Sequence, residues 1–125
     1  MSSLLFPPID RRQLASMDLE PGTSPARVIS GKPSATELVL HEMDGAEIGL
    51  WEITPGTFRS SKSGISEFMY FLSGSGTITR ENGDVIDIAA DTFLSLPDGS
   101  EVVWDVTETA RKLYMITETA SNPNT

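Results

Sequence analysis

The sequence predicts an all-β single domain, a sandwich or closed barrel, on three observations. From Glu37 onward about nine short runs rich in β-branched and aromatic residues follow one another. Turn dipeptides separate them, Asp44-Gly45, Pro55-Gly56, Asn82-Gly83 and Asp98-Gly99, and Asp-Gly and Asn-Gly suit tight hairpins because their residues tolerate positive φ. No segment past Glu37 sustains apolar residues at helical spacing, which excludes a helical fold. At 125 residues the chain is one domain.

Residues 1–35 read as a proline-rich N-terminal arm, with Pro7, Pro8, Pro21, Pro25 and Pro33. Proline lacks the N–H that a strand ladder needs, so the arm is expected to lie unpaired across the domain or a neighbouring subunit. Asp10 is placed to cap a short helix over "RRQLASM". Residues 36–118 supply the barrel strands: "ELVLHEM", "AEIGLWEIT", "GTFRSSK", "SEFMYFL", "GTITR", "DVIDIA", "TFLSLP", "EVVWDV" and "RKLYMIT". Residues 119–125 are expected to be a flexible tail. Alternation in "SEFMYFL" puts Glu67, Met69 and Phe71 on one side and Phe68, Tyr70 and Leu72 on the other. Both sides are apolar apart from Glu67, as in a wall covered by a second subunit, so a homodimer is expected.

Composition removes several function classes. A net charge of −9 with no basic run argues against nucleic acid. The absence of cysteine excludes thiol catalysis, zinc-thiolate sites and disulfides. No stretch has the length of a bilayer span, and "MSSLLFPPIDRR" lacks the charge and apolar run of a signal peptide, so the expected location is cytoplasmic, away from membranes. No serine has a histidine partner, and "GSGTIT" lacks the Gly-Lys-Ser/Thr of a phosphate loop.

Glu67 is the one polar group in its run and has two readings. As an inward carboxylate in an apolar pocket it is expected to have a raised pKa and to act as general acid or base. As a structural group it pairs with Arg59, Arg111 or Lys112. Any of the aromatic set Trp51, Phe58, Tyr70, Trp104 and Tyr114 could line a ligand slot, and Trp51, Phe58, Tyr70 and Trp104 are the ones expected around Glu67, with Arg59, Ser61 and Ser63 toward the rim. The loop of Ser60, Ser61, Lys62 and Ser63 reads mainly as solvated.

Four pieces in order, "GLWEITPGTFR", "EFMYFLSGSGTIT", "LPDGSEVVWDV" and "RKLYMI", resemble the type-3 cupin group, over roughly residues 27–117. The resemblance rests on Gly49, Trp51, Pro55, Gly56, Glu67, Gly74, Pro97, Gly99, Trp104, Arg111, Lys112 and Tyr114. It implies a cupin-type jelly-roll barrel, usually dimeric, with a pocket at one mouth. Metal-binding cupins hold their ion with two histidines and a glutamate of the first motif and a histidine of the second. Here the first slots fall at Ser61 and Ser63, or Ser60 and Lys62, and the last at Val102 or Trp104, so only Glu67 of that set is present. His41 is the sole histidine. No metal cofactor is therefore expected, a weak or alternative divalent ion being the one left open. The leading expectation is a cupin that binds a small organic molecule in its barrel. A metal-dependent hydrolase acting on a small nitrogenous compound, similar to ureidoglycine aminohydrolase, and a non-catalytic dimeric accessory or sensing protein are its rivals. The residues leave catalysis itself undecided.

Overall fold

The computed structural model describes residues 8–119. Asp10 opens helix α1 (Arg11–Ser16) with a reciprocal capping box. Its carboxylate accepts from the Gln13 amide, and the Gln13 side chain accepts from the Asp10 amide. Extended backbone at Met17 ends the helix. Arg11 then ties it down, donating to Leu72 O at 2.9 Å and to Asp91 at 3.1 Å.

Prolines do not keep the arm out of the sheet, which corrects the expectation for residues 1–35. Strand β1 (Glu20–Pro21) pairs with β3 (Ala35–Met43), and β2 (Arg27–Gly31) pairs with β5 (Gly56–Ser61). Pro25 and Pro33 flank β2 rather than interrupt it. Pro21 sits in a two-residue strand at the sheet's edge, where a missing N–H removes no interior ladder bond. Among the described residues no helix is long and apolar enough to cross a membrane. Thr119 still bonds Gly64 O at 2.9 Å, while the rest of the expected tail, 120–125, lies outside the described residues.

Beyond the arm, β4 (Ala46–Ile53) returns along β3 through the Asp44-Gly45 hairpin. The expected strands then fuse in two places. "SEFMYFL" and "GTITR" are halves of β6 (Ile65–Arg80), and "EVVWDV" and "RKLYMIT" are halves of β9 (Glu101–Glu118). Between them lie β7 (Val85–Ile88) and β8 (Phe93–Leu96), both paired to β6. The corner in β6 is made by irregular register between Phe71 and Gly76. Gly76 has φ +146°, and a Cβ on it would stand 2.1 Å from Asp105 O, so only glycine lets β6 cross β9 this closely.

Strand β9 joins the two halves of the curled sheet. Its second half pairs with β4 and the start of β6, and its first half with β5 and the end of β6. Curling closes a jelly-roll barrel around Ile53, Phe58, Met69, Phe71, Ile78, Leu96 and Trp104, all essentially inaccessible. Burying each large apolar side chain contributes about 1.5–3 kcal/mol relative to leaving it exposed. Within one chain the outer face of β6 is only partly covered: Leu72 is 3% exposed, whereas Phe68 is 38% and its stacked neighbour Phe93 65% exposed.

Gly76→Ala is expected to destabilise the fold by more than about 1 kcal/mol, read as a lowered urea midpoint, because the new Cβ meets backbone and φ is unfavourable for alanine. An unchanged midpoint would contradict the corner's packing.

Candidate functional site

Three neighbouring strands build the inner wall. Along β9 the residues Lys112, Tyr114 and Ile116, two apart, face inward. Their register partners are Trp51, Gly49 and Glu47 on β4, and Phe71, Met69 and Glu67 on β6. The wall is therefore a grid with a carboxylate at each end of one row, an aromatic hydroxyl in the middle row and an ammonium in the third.

Lys112 reaches along this grid so that Nζ lies 2.6 Å from Glu67 Oε2. A second ammonium, Lys62 Nζ, lies 2.7 Å from Oε1. Glu67 is 2% exposed, so its charge is removed from water and answered by two lysines. Lys62 follows β5 in the Ser-rich loop expected to be solvated. The loop is instead pinned by Lys62 N to Ser100 O at 2.9 Å and Gly99 N to Lys62 O at 2.8 Å, which turns the side chain inward. The Lys112 ammonium sits 4.4 Å from the Trp51 ring centroid and 4.9 Å from that of Trp104, within cation–π range. Phe58 stacks on Trp104 and Phe71 meets it edge-on.

Of the three cations considered from sequence only Lys112 reaches Glu67: Arg59, on β5, is exposed, and parity on β9 separates Lys112 from Arg111. Arg111 points outward, donating to Glu52 and to the Leu14 and Met17 carbonyls at 2.9 Å each, so it clamps α1 to the barrel. Lys112, next in line, points inward. In the middle row the Tyr114 hydroxyl donates to Glu47 at 2.7 Å. A Cβ on Gly49 would lie 2.6 Å from that oxygen, so glycine there makes the bond sterically free.

Burial is the largest influence on Glu67 and pushes its pKa up. The two ammonium groups together overcome this and hold it below the ordinary 4.5. That corrects the expected raised value: Glu67 is a resident carboxylate in the free protein, not a stored proton. Burial likewise pushes the Lys112 amine below its ordinary 10.5, opposed by Glu67. Burial also raises the Tyr114 hydroxyl, helped by its bond to Glu47, so it stays protonated.

A cavity of about 410 Å³ opens above this wall. Trp51, Phe58, Arg59, Ser61 and Trp104 lie along it, as do Glu67, Lys62 and Lys112. Ser63 does not; it is exposed in the bend before Gly64. Nor does Tyr70, which has outward parity and donates to Asp91, so its place in the ligand set is corrected. Tyr114, one of the aromatic residues considered from sequence, lies along the cavity too, whereas sequence reading did not assign Glu37 and Glu47 to the lining, nor the arm residues Thr23, Pro25, Ala26 and Arg27. The signal for Glu47 was the register of β4 with β9, which spacing within one strand does not give. Among the described residues no group of three or more His, Cys, Asp or Glu could hold a metal ion. His41 pairs opposite Ile48 at a bulge and is not part of the lining.

Glu67→Gln is expected to cost about 3–5 kcal/mol at pH 7, because it leaves buried Lys112 without its counter-charge. A carboxylate with a depressed folded pKa stabilises above its unfolded pKa, and this is lost as pH falls through the folded value. The gap between wild type and variant in urea midpoint should therefore close below pH 4.5. A gap that stays constant into acid would contradict the ion pair.

The family model described as the EutQ-like cupin domain (Cupin_3) matches residues 40–114. A crystal structure of a DUF861-family protein of unknown function from Pseudomonas syringae pv. tomato superposes with TM-score 0.76 at 26% identity, over 87% of this chain and 46% of that one. The chain thus spans about half of that relative. The Clostridium difficile EutQ protein gives TM-score 0.60 at 19% identity over 70% of this chain and 65% of its own. The cupin domain of Schizosaccharomyces pombe Cnp3 gives 0.58 at 14% identity over 72% and 70%. These two are likenesses of fold alone. No curated protein matches the sequence. By the match over residues 40–114, the chain belongs to the EutQ-like cupin domain family.

Proposed function

We propose that the barrel binds a small organic anion and does so without a histidine-based metal cage. The observation that carries this reading is the pair of lysines on one buried carboxylate at the cavity wall, which leaves one positive charge in excess. In a protein of net charge −9 that local surplus sets the pocket apart from the surface. Four cationic and three acidic side chains line the cavity, and one of the cations, Arg27, also pairs with Glu101, so the surplus is local to the two lysines. The volume falls within the roughly 300–1,000 Å³ of small-molecule sites. The hydrolase reading is the weaker one, since both Glu67 oxygens are already engaged by ammonium groups and, among the described residues, no group of three or more His, Cys, Asp or Glu could hold a metal ion. A barrel serving only as scaffold has no need of an open, charged interior.

Titration calorimetry with small mono- and dicarboxylates should show binding, and Lys62→Gln should weaken it by about 1.5–3 kcal/mol, the worth of a charge-assisted hydrogen bond. A pocket that takes only neutral or cationic compounds would contradict the proposal.

We also propose a homodimer through the outer face of β6 and β8. Stacked Phe68 and Phe93, with ring centroids 6.4 Å apart, lie there beside Ile48 and Met115 in an entirely apolar depression. Sedimentation at micromolar concentration should give a dimer, and Phe93→Glu a monomer. A monomeric wild type would rule this interface out.

A further inference from the structure

One carboxylate needs one counter-ion, and Lys62 at 2.7 Å already provides it. Lys112 is thus more than charge balance requires, and its placement is costly: its side chain is 6% exposed and wedged between two tryptophans. Its ammonium nonetheless lines the cavity and touches a base, Glu67 Oε2, at 2.6 Å. A lysine that is desolvated, near a second cation and beside a proton acceptor has what an amine nucleophile requires.

We infer that Lys112 forms an imine with a small 2-oxo acid, glyoxylate being the simplest, held in the cavity with its carboxylate facing Lys62 and Arg59. This rests on the anion-binding reading and names the substrate class of the same site. Glu67 takes a proton from the Lys112 ammonium, and the free amine attacks the carbonyl carbon as the carbonyl π pair moves to oxygen. A proton passes from nitrogen to that oxygen to give the carbinolamine. Glu67 then returns the first proton, water leaves and the C=N bond forms. One ammonium and one carbonyl have become one iminium and one water, with Glu67 again a carboxylate. No oxidant or further reactant enters. Burial and the Lys62 charge both push the Lys112 amine below its ordinary value, easing the first step, while Glu67 opposes them. The Trp51 and Trp104 rings beside Nζ shield the iminium from water.

The chain has three lysines, Lys32, Lys62 and Lys112, so the wild-type protein carries its own controls. It is incubated with glyoxylate and sodium cyanoborohydride at pH 7, and carboxymethyl groups are mapped by peptide mass spectrometry. Lys112 should label at least about tenfold faster than exposed Lys32, because it alone is desolvated with a proton acceptor 2.6 Å from its nitrogen. Glycolate, which has the carboxylate but no carbonyl, should slow that labelling. Equal labelling of all three lysines, or labelling of Lys32 and Lys62 alone, overturns the inference. If glycolate binds by calorimetry while Lys112 stays unlabelled, imine formation fails and the anion pocket stands. If glycolate does not bind and Lys112 does not label, both fail.

Discussion

A carboxylate held inside the barrel by two lysines is the interaction on which the rest of the structure depends. Burying an unpaired charge costs several kcal/mol even after relaxation, so Glu67 is tolerable only with partners fixed close by. Both partners are supplied by elements committed for other reasons. Lys112 comes from the joining strand β9, which cannot shift without breaking its ladders to β4 and β6. Lys62 comes from a loop fastened by backbone bonds to the turn at Gly99 and Ser100. The ion triad and the barrel therefore specify each other. A one-residue slip of β9 would send Lys112 outward and bring Arg111 in.

Strand parity also divides the labour between those two adjacent cations. Arg111 fastens helix α1 and the arm behind it to the outside, through the Leu14 and Met17 carbonyls. The same arm continues through Thr23, Pro25, Ala26 and Arg27 to the edge of the cavity. One step along β9 thus separates the contact that anchors the cover from the contact that charges the interior. The positive surplus lies inside a chain that is acidic as a whole, the contrast on which the proposed preference for small anions rests.

Much of the fold was legible in the sequence because its signals are local. Turn dipeptides, alternation and a capping aspartate each act over a few residues, and strands β3 to β5, β7, β8 and helix α1 follow them. What was misread depends on pairing. "SEFMYFL" and "GTITR" look separate because Gly74 and Gly76 interrupt the β pattern, yet those glycines are the corner of one strand. Prolines marked the arm as unpaired, yet at a sheet edge they cost little. In the site, Glu67 was legible as a lone polar residue in an apolar run, and the tryptophans as aromatic walls. Its lysine partners were not, because Lys62 reads as loop and the choice among Arg59, Arg111 and Lys112 needs the β6–β9 register. Tyr70 was misplaced although its parity with Phe68 and Leu72 already pointed it outward.

The most direct measurement is a nitrogen-15 spectrum of the lysine side chains in the metal-free protein at neutral pH. Only three signals are involved. The account predicts that two, from Lys62 and Lys112, show slowed hydrogen exchange and shifts displaced from that of Lys32, and that Glu67→Gln moves both. Three near-identical, rapidly exchanging signals would mean that neither ammonium is held by the buried carboxylate, and the account would be wrong.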